Sequence, residues 1–133
     1  QDRFFSPDTI ATFLDSAFTL TDAYDRMGVR LRGPILLPNA ALTLPSEAIL
    51  RGSVQVAGDG VATVLLADHQ TTGGYPKIAT LLSCDLDGFA QLRPHAPVVF
   101  QAVTPARALQ ISRQHATATA RYLAGISRRA ATV

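Results

Sequence analysis

Ser53-Val54-Gln55-Val56, then Gly58-Asp59-Gly60, then Ala62-Thr63-Val64-Leu65-Leu66-Ala67 is the stretch whose reading decides the fold. Two strand-like runs flank an Asp-Gly turn signal, so the segment reads as a β-hairpin. Working upstream, Met27, Val29 and Leu31 alternate with Gly28, Arg30 and Arg32, which predicts a strand with a basic face, ended by Gly33-Pro34. Met27 is expected in the core. Phe18 and Leu20 alternate with Thr19 and Thr21, a second half-buried strand. Ser6-Pro7-Asp8 supplies a capping hydroxyl, a proline suited to the first helical position and an acid at the positive dipole end, and predicts a helix over 7–15. Pro38 and Pro45 exclude a long regular element from residues 35–50, and Ser46-Glu47 reads as one helical turn.

Downstream, Ile78 to Ser83 is another apolar run, and Asp85-Leu86-Asp87 followed by Phe89, Ala90 and Leu92 predicts a short helix. Val98 to Val103 reads as a last strand. After Thr104-Pro105 comes the longest helical pattern, 106–125, with a frayed tail beyond Gly125. About six short strands with helices at the ends and one between make a mainly β chain whose sheet is closed or nearly so. Residues 1–133 are expected to form a single domain, with the C-terminal helix and tail in 103–133.

The 133 residues are 47% hydrophobic and 17% charged, enough apolar surface to offset chain entropy. Net charge is +2, without the basic stripe interleaved with aromatics that nucleic acid binding asks for. No apolar run is long enough to span a bilayer. A membrane role is therefore not expected either. Of the 12 cations, Lys77 is the one lysine. A single cysteine, Cys84, cannot form an internal disulfide; it is expected in the core, and it fits a reducing, cytoplasmic compartment. The three histidines (His69, His95, His115) and one cysteine make a structural zinc site improbable, so no metal site is expected. The chain opens at Gln1 without Met, and a preceding N-terminal half is expected.

Two segments could carry chemistry. Asp68-His69-Gln70-Thr71-Thr72-Gly73-Gly74-Tyr75-Pro76-Lys77 is longer than an ordinary strand connection and dense in hydrogen-bonding side chains. Adjacent glycines let backbone N–H groups approach an anion, and Lys77 would add positive charge where an oxyanion or phosphate sits. The spacing is not that of a Walker A loop. A wide turn with a solvated Lys77 accounts for the composition equally well. In the second segment, Asp25-Arg26 could bind a carboxylate or phosphate, or could form a bridge that pins a β-turn to the sheet.

Together the segments resemble the carboxyltransferase-related family known as allophanate hydrolase subunit 2, as KipA, or as the C-type subunit of 5-oxoprolinase. Asp25 to Leu31 with Gly33-Pro34, and Ala67-Asp68 with Gln70 to Ile78, match its two motifs, and Gly52-Ser53-Val54-Gln55-Val56 is similar to its pattern between them. Tyr24 stands where the family has Ser, and His69 where it has a basic or small residue.

The resemblance implies a cyclophilin-like β-barrel forming the C-terminal lobe of a longer protein. Its implied partners are its own N-terminal half and the KipI-like B-type and the A-type subunits of the same enzyme. It implies opening of 5-oxoproline to glutamate at the expense of ATP, with ATP bound by the complete complex and not by this chain. The alternatives are biotin-dependent carboxyl transfer to urea or a related amide, and a KipA-like module that binds a KipI-like kinase inhibitor. The expected catalytic residues are Lys77 and Asp68. Asp25, Arg26, Gln70, Thr71, Thr72, Gly73, Gly74 and Tyr75 are expected to hold substrate, the two glycines through backbone donors.

Overall fold

One turn of 3-10 helix, Asp2–Phe4, leads to Ser6, whose hydroxyl accepts a hydrogen bond from the Thr9 amide and caps α1 (Pro7–Asp15). The computed structural model describes residues 1–39 and 44–130. Phe13 of α1 is buried; it stacks on Phe100 at 4.5 Å between ring centroids and lies 5.8 Å from Phe18. β1 (Ala17–Tyr24) pairs antiparallel with β2 (Gly28–Arg32), with Leu20 opposite Leu31 and a register shift between Leu20 and Tyr24. The alternation is as read: Phe18, Leu20, Val29 and Leu31 face the core, and Arg30 and Arg32 are exposed. Met27 is not in the core. It precedes β2 in the turn and is 49% exposed.

β3 is a two-residue strand, Glu47–Ala48. The helical turn expected at Ser46-Glu47 is therefore an extended segment that finds a ladder partner later in the chain. β4 (Ser53–Val56) and β5 (Ala62–Leu65) form the hairpin, with Val54 opposite Val64 and Val56 opposite Ala62. Gly60 takes φ +73° in the turn, where its carbonyl accepts from the Leu36 amide at 2.9 Å. β6 (Thr72–Gly73) pairs with β3, and β7 (Lys77–Thr80) pairs with β4. After α2 (Ser83–Phe89), β8 (Pro97–Val99) pairs with β1. β8 is shorter than the expected 98–103 strand; Phe100 follows it and packs on Phe13 and Phe18. Cys84 is only partly buried, at the start of α2.

All pairings are antiparallel, and the main sheet runs β7-β4-β5-β2-β1-β8. It is a curled half-barrel with β7 and β8 at its edges. Its inner face, with α1 and Phe89 of α2, holds one core cluster that includes Phe5, Phe13, Phe18, Leu20, Val54 and Val64. The fold is mainly β with short helices, as the sequence reading has it. The chain divides into two compact units, Gln1–Ala102 and Val103–Val133. The second contains α3 (Pro105–Ala130), which runs through Gly125 where a frayed tail was expected. A single glycine in a long helix costs only about 1 kcal/mol relative to alanine.

Candidate functional site

The turn between β1 and β2 is built by Asp25. Its Oδ1 accepts from the Met27 amide at 2.8 Å and the Gly28 amide at 3.1 Å, while its own N–H donates to the Gly28 carbonyl. Asp25 and Arg26 do not pair with each other. Arg26 reaches across to Asp68 in a two-pronged contact, Nε to Oδ2 at 2.5 Å and Nη2 to Oδ1 at 2.9 Å. Backbone bonds run beside it, from the Asp68 amide to the Arg26 carbonyl and from the Leu66 amide to the Met27 carbonyl. The Arg26 hydrogen bond and charge push the Asp68 carboxyl below its ordinary value, and the same contact raises Arg26. With side chains 77% and 49% exposed, the pair adds little stability. What it fixes is the position of one motif against the other.

The segment Asp68 to Lys77 is not an open loop. The Ile49 amide donates to the Thr71 carbonyl at 3.0 Å, and Thr72 and Gly73 pair with Ala48 and Glu47. A Cβ on Gly73 would meet Ile49 Cδ1 at 2.6 Å, and one on Gly74 would meet the Leu44 carbonyl oxygen at 3.0 Å. Close packing on the β3 side therefore calls for small residues here. His69 Nδ1 lies 2.6 Å from the Gln70 carbonyl oxygen. Pro76 is buried, and its carbonyl accepts from the Val56 amide. Lys77 is only 9% exposed and sits opposite Gln55 in the β4–β7 pairing, so the two side chains share a sheet face. The Gln1 carboxamide accepts from the Lys77 amide at 3.0 Å and donates to Glu47, tying the starts of β3 and β7 together. No described carboxylate pairs with the Lys77 ammonium.

A cleft of about 550 Å³ opens between the β1–β2 turn, the hairpin and this segment; its polar lining includes Tyr24, Asp25, Arg30, Gln55, Gln70 and Tyr75. Arg30 is bound to Asp59 at 2.6 Å, and Asp59 is held below its ordinary value by the Val61 amide and by Arg30. A second cleft of about 450 Å³ shares Tyr24 and Asp25 and adds Arg26 and Arg51. Of the residues expected at a site, Asp25, Gln70 and Tyr75 reach the first cleft, and Asp25 and Arg26 the second. Asp68, Thr71, Thr72, Gly73, Gly74 and Lys77 line neither. Gln55, Arg30 and Tyr24 were missed as cleft residues. The available signal was Gln55 itself, a carboxamide in an otherwise apolar run. Among the described residues, no cluster of three His, Cys, Asp or Glu could hold a metal ion. No helix among them is long and apolar enough to cross a membrane.

Residues 1–102 match the family described as carboxyltransferase domain, subdomain A and B. The chain belongs to this family. It is 43% identical over 98 residues to the C-type subunit of 5-oxoprolinase from Haemophilus influenzae, covering 74% of this chain and 32% of that one. It is 41% identical over 88 residues to the protein of the same name from Escherichia coli, covering 66% and 28%. The chain thus spans roughly a third of the length of these relatives. The crystal structure of Kluyveromyces lactis urea carboxylase superposes with a TM-score of 0.80 over 88% of this chain and 11% of that one, at 19% identity, a likeness of fold.

Proposed function

We infer that the chain is a lobe of a C-type 5-oxoprolinase subunit whose cleft binds a cyclic amide, while the complete assembly opens the ring to glutamate at the expense of ATP. The observation that carries this reading is the 43% identity over 98 residues to a protein of that name. The reaction breaks the ring C–N bond and forms a C–O bond; water supplies hydroxyl to the carbonyl carbon and a proton to nitrogen. ATP, the A-type partner and the KipI-like B-type partner belong to the complete assembly.

This chain's own part is to bind and orient. Gln70 and Tyr75 face the cleft with Gln55, where carboxamide and phenol groups can hold the substrate's amide. Arg30, kept in place by Asp59, brings a guanidinium to the same cleft, suited to a carboxylate on the substrate. Asp25 commits its carboxylate to its own turn, and Arg26 and Asp68 hold that turn against the second motif; these three are positioning residues. Thr71 and Thr72 carry the chain from Gln70 into β6. Gly73 contributes by admitting its neighbours closely, with its backbone committed to the ladder. Lys77, on the same sheet face as Gln55, places a positive charge near the held amide, where negative charge would develop on its oxygen.

The test is reconstitution. The full-length protein is purified with its A-type and B-type partners, given 5-oxoproline, and glutamate is followed with and without ATP. Glutamate formed only with ATP and all components supports the reading; an intact complex that forms none defeats it.

A further inference from the structure

We propose that Gln55 and Gln70 form a subsite for the cis-amide edge of a lactam, and that Gln55 makes the cleft specific for it. The proposal rests on the cyclic-amide reading above. Gln55 is only 6% exposed and sits in β4 among Ser53, Val54 and Val56, all buried. A carboxamide offers two N–H donors and an oxygen with two lone pairs. Here Nε2 makes a single contact, to the Tyr75 carbonyl oxygen at 3.4 Å, beyond the usual range for such a bond. The oxygen and one N–H are left without a hydrogen bond among the described residues. No fully buried side-chain polar atom among those residues lacks a partner, so the unpaired Gln55 oxygen is not fully buried. Gln55 and Gln70 both line the cleft.

Gly73 shows how close the two carboxamides come. A Cβ at that position would lie 3.1 Å from Gln55 Nε2 and 3.6 Å from Gln70 Nε2. Both carboxamide nitrogens therefore lie close to Gly73, and with Ile49 Cδ1 packed on the same spot a larger residue there would displace them.

The chemistry that fits is specific. A ring locks an amide cis, so its N–H and C=O share one edge, whereas an open-chain secondary amide is trans and shows them on opposite sides. A carboxamide also carries an oxygen and an N–H side by side, and the two edges join through two parallel hydrogen bonds. Gln55 is placed to make that pair, and Gln70 to reach a remaining lone pair of the lactam oxygen. Hydrolysis removes the edge, so the opened product no longer matches the subsite.

The experiment uses the full-length protein in complex with its partners. Q55M is expected to raise the KM for 5-oxoproline by about tenfold to a hundredfold, with kcat within about a factor of three. 2-Pyrrolidinone is expected to inhibit wild type at least about tenfold better than N-methyl-2-pyrrolidinone, which has no N–H, and Q55M is expected to lose that preference. An unchanged KM with the preference intact overturns the proposal. If Q55M does not fold, the wild-type comparison decides alone, and equal inhibition by the two lactams overturns it. If the assembly does not turn over 5-oxoproline, the proposed function fails, and calorimetric titration of 2-pyrrolidinone into wild type and Q55E decides the subsite. Binding to wild type that Q55E loses supports it; no binding to wild type overturns it. Biotin, whose ureido ring carries the same edge, is titrated alongside. Binding of biotin that depends on Gln55, without binding of 2-pyrrolidinone, overturns the lactam assignment.

Discussion

Lys77 is only 9% exposed and stands opposite Gln55, so its side chain both packs and carries charge. Lys77→Met keeps the stem and removes the ammonium. The melting temperature is expected to stay within a few degrees, while turnover of 5-oxoproline by the assembled enzyme falls about a hundredfold. Wild-type turnover would remove Lys77 from the mechanism. Asp68 makes a different prediction, about acid. Arg26 holds its carboxyl below the unfolded value of about 4, so its contribution is complete above that pH and is lost as pH falls through the lower folded value. Asp68→Asn is expected to lower the melting temperature slightly at pH 7, by little because the pair is exposed, and to converge with wild type as pH falls below about 4, which flattens the acid limb. An identical acid limb in mutant and wild type would show that the contact contributes nothing.

Each element that the sequence announced has a local cause. Alternation in 18–21 and 28–32 reports a sheet with one buried face, and Ser6-Pro7 caps α1 from within its own turn. The hairpin depends on Gly60, whose φ of +73° favours glycine and whose Cβ would meet Ile35 Cγ2 at 2.5 Å and the Leu36 nitrogen at 3.1 Å. Gly60→Ala is expected to destabilise by about 2 kcal/mol in urea unfolding, and a loss under about 0.5 kcal/mol would contradict the strain argument. The β3–β6 ladder was not legible, because a two-residue pairing between distant segments leaves no periodicity. That ladder is what turns the glycine-rich segment from an apparent loop into packed structure. The site was half legible for the same reason. Asp25, Gln70 and Tyr75 stand in dense polar motifs, whereas Gln55 reads as one more position of a strand and shows its purpose only when β7 and the Tyr75 carbonyl lie beside it.

At the scale of the molecule, every described residue of the core cluster lies before position 103. A chain ended at Ala102 therefore keeps its whole core, and is expected to melt in one cooperative transition within a few degrees of the full chain; a broad, non-cooperative melt would show otherwise. The fork between Arg26 and Asp68 reaches across 42 positions of sequence and has a bearing on ancestry and engineering. A chimera of two relatives with its crossover between these positions would inherit one half of the contact from each parent. Where the parents differ there, the hybrid carries a charge without its mate, and the two motifs lose their alignment although each half is native. The two segments are thus a single cassette, to be grafted together or left alone, and swapping the two charges between positions 26 and 68 should recover what either reversal alone destroys.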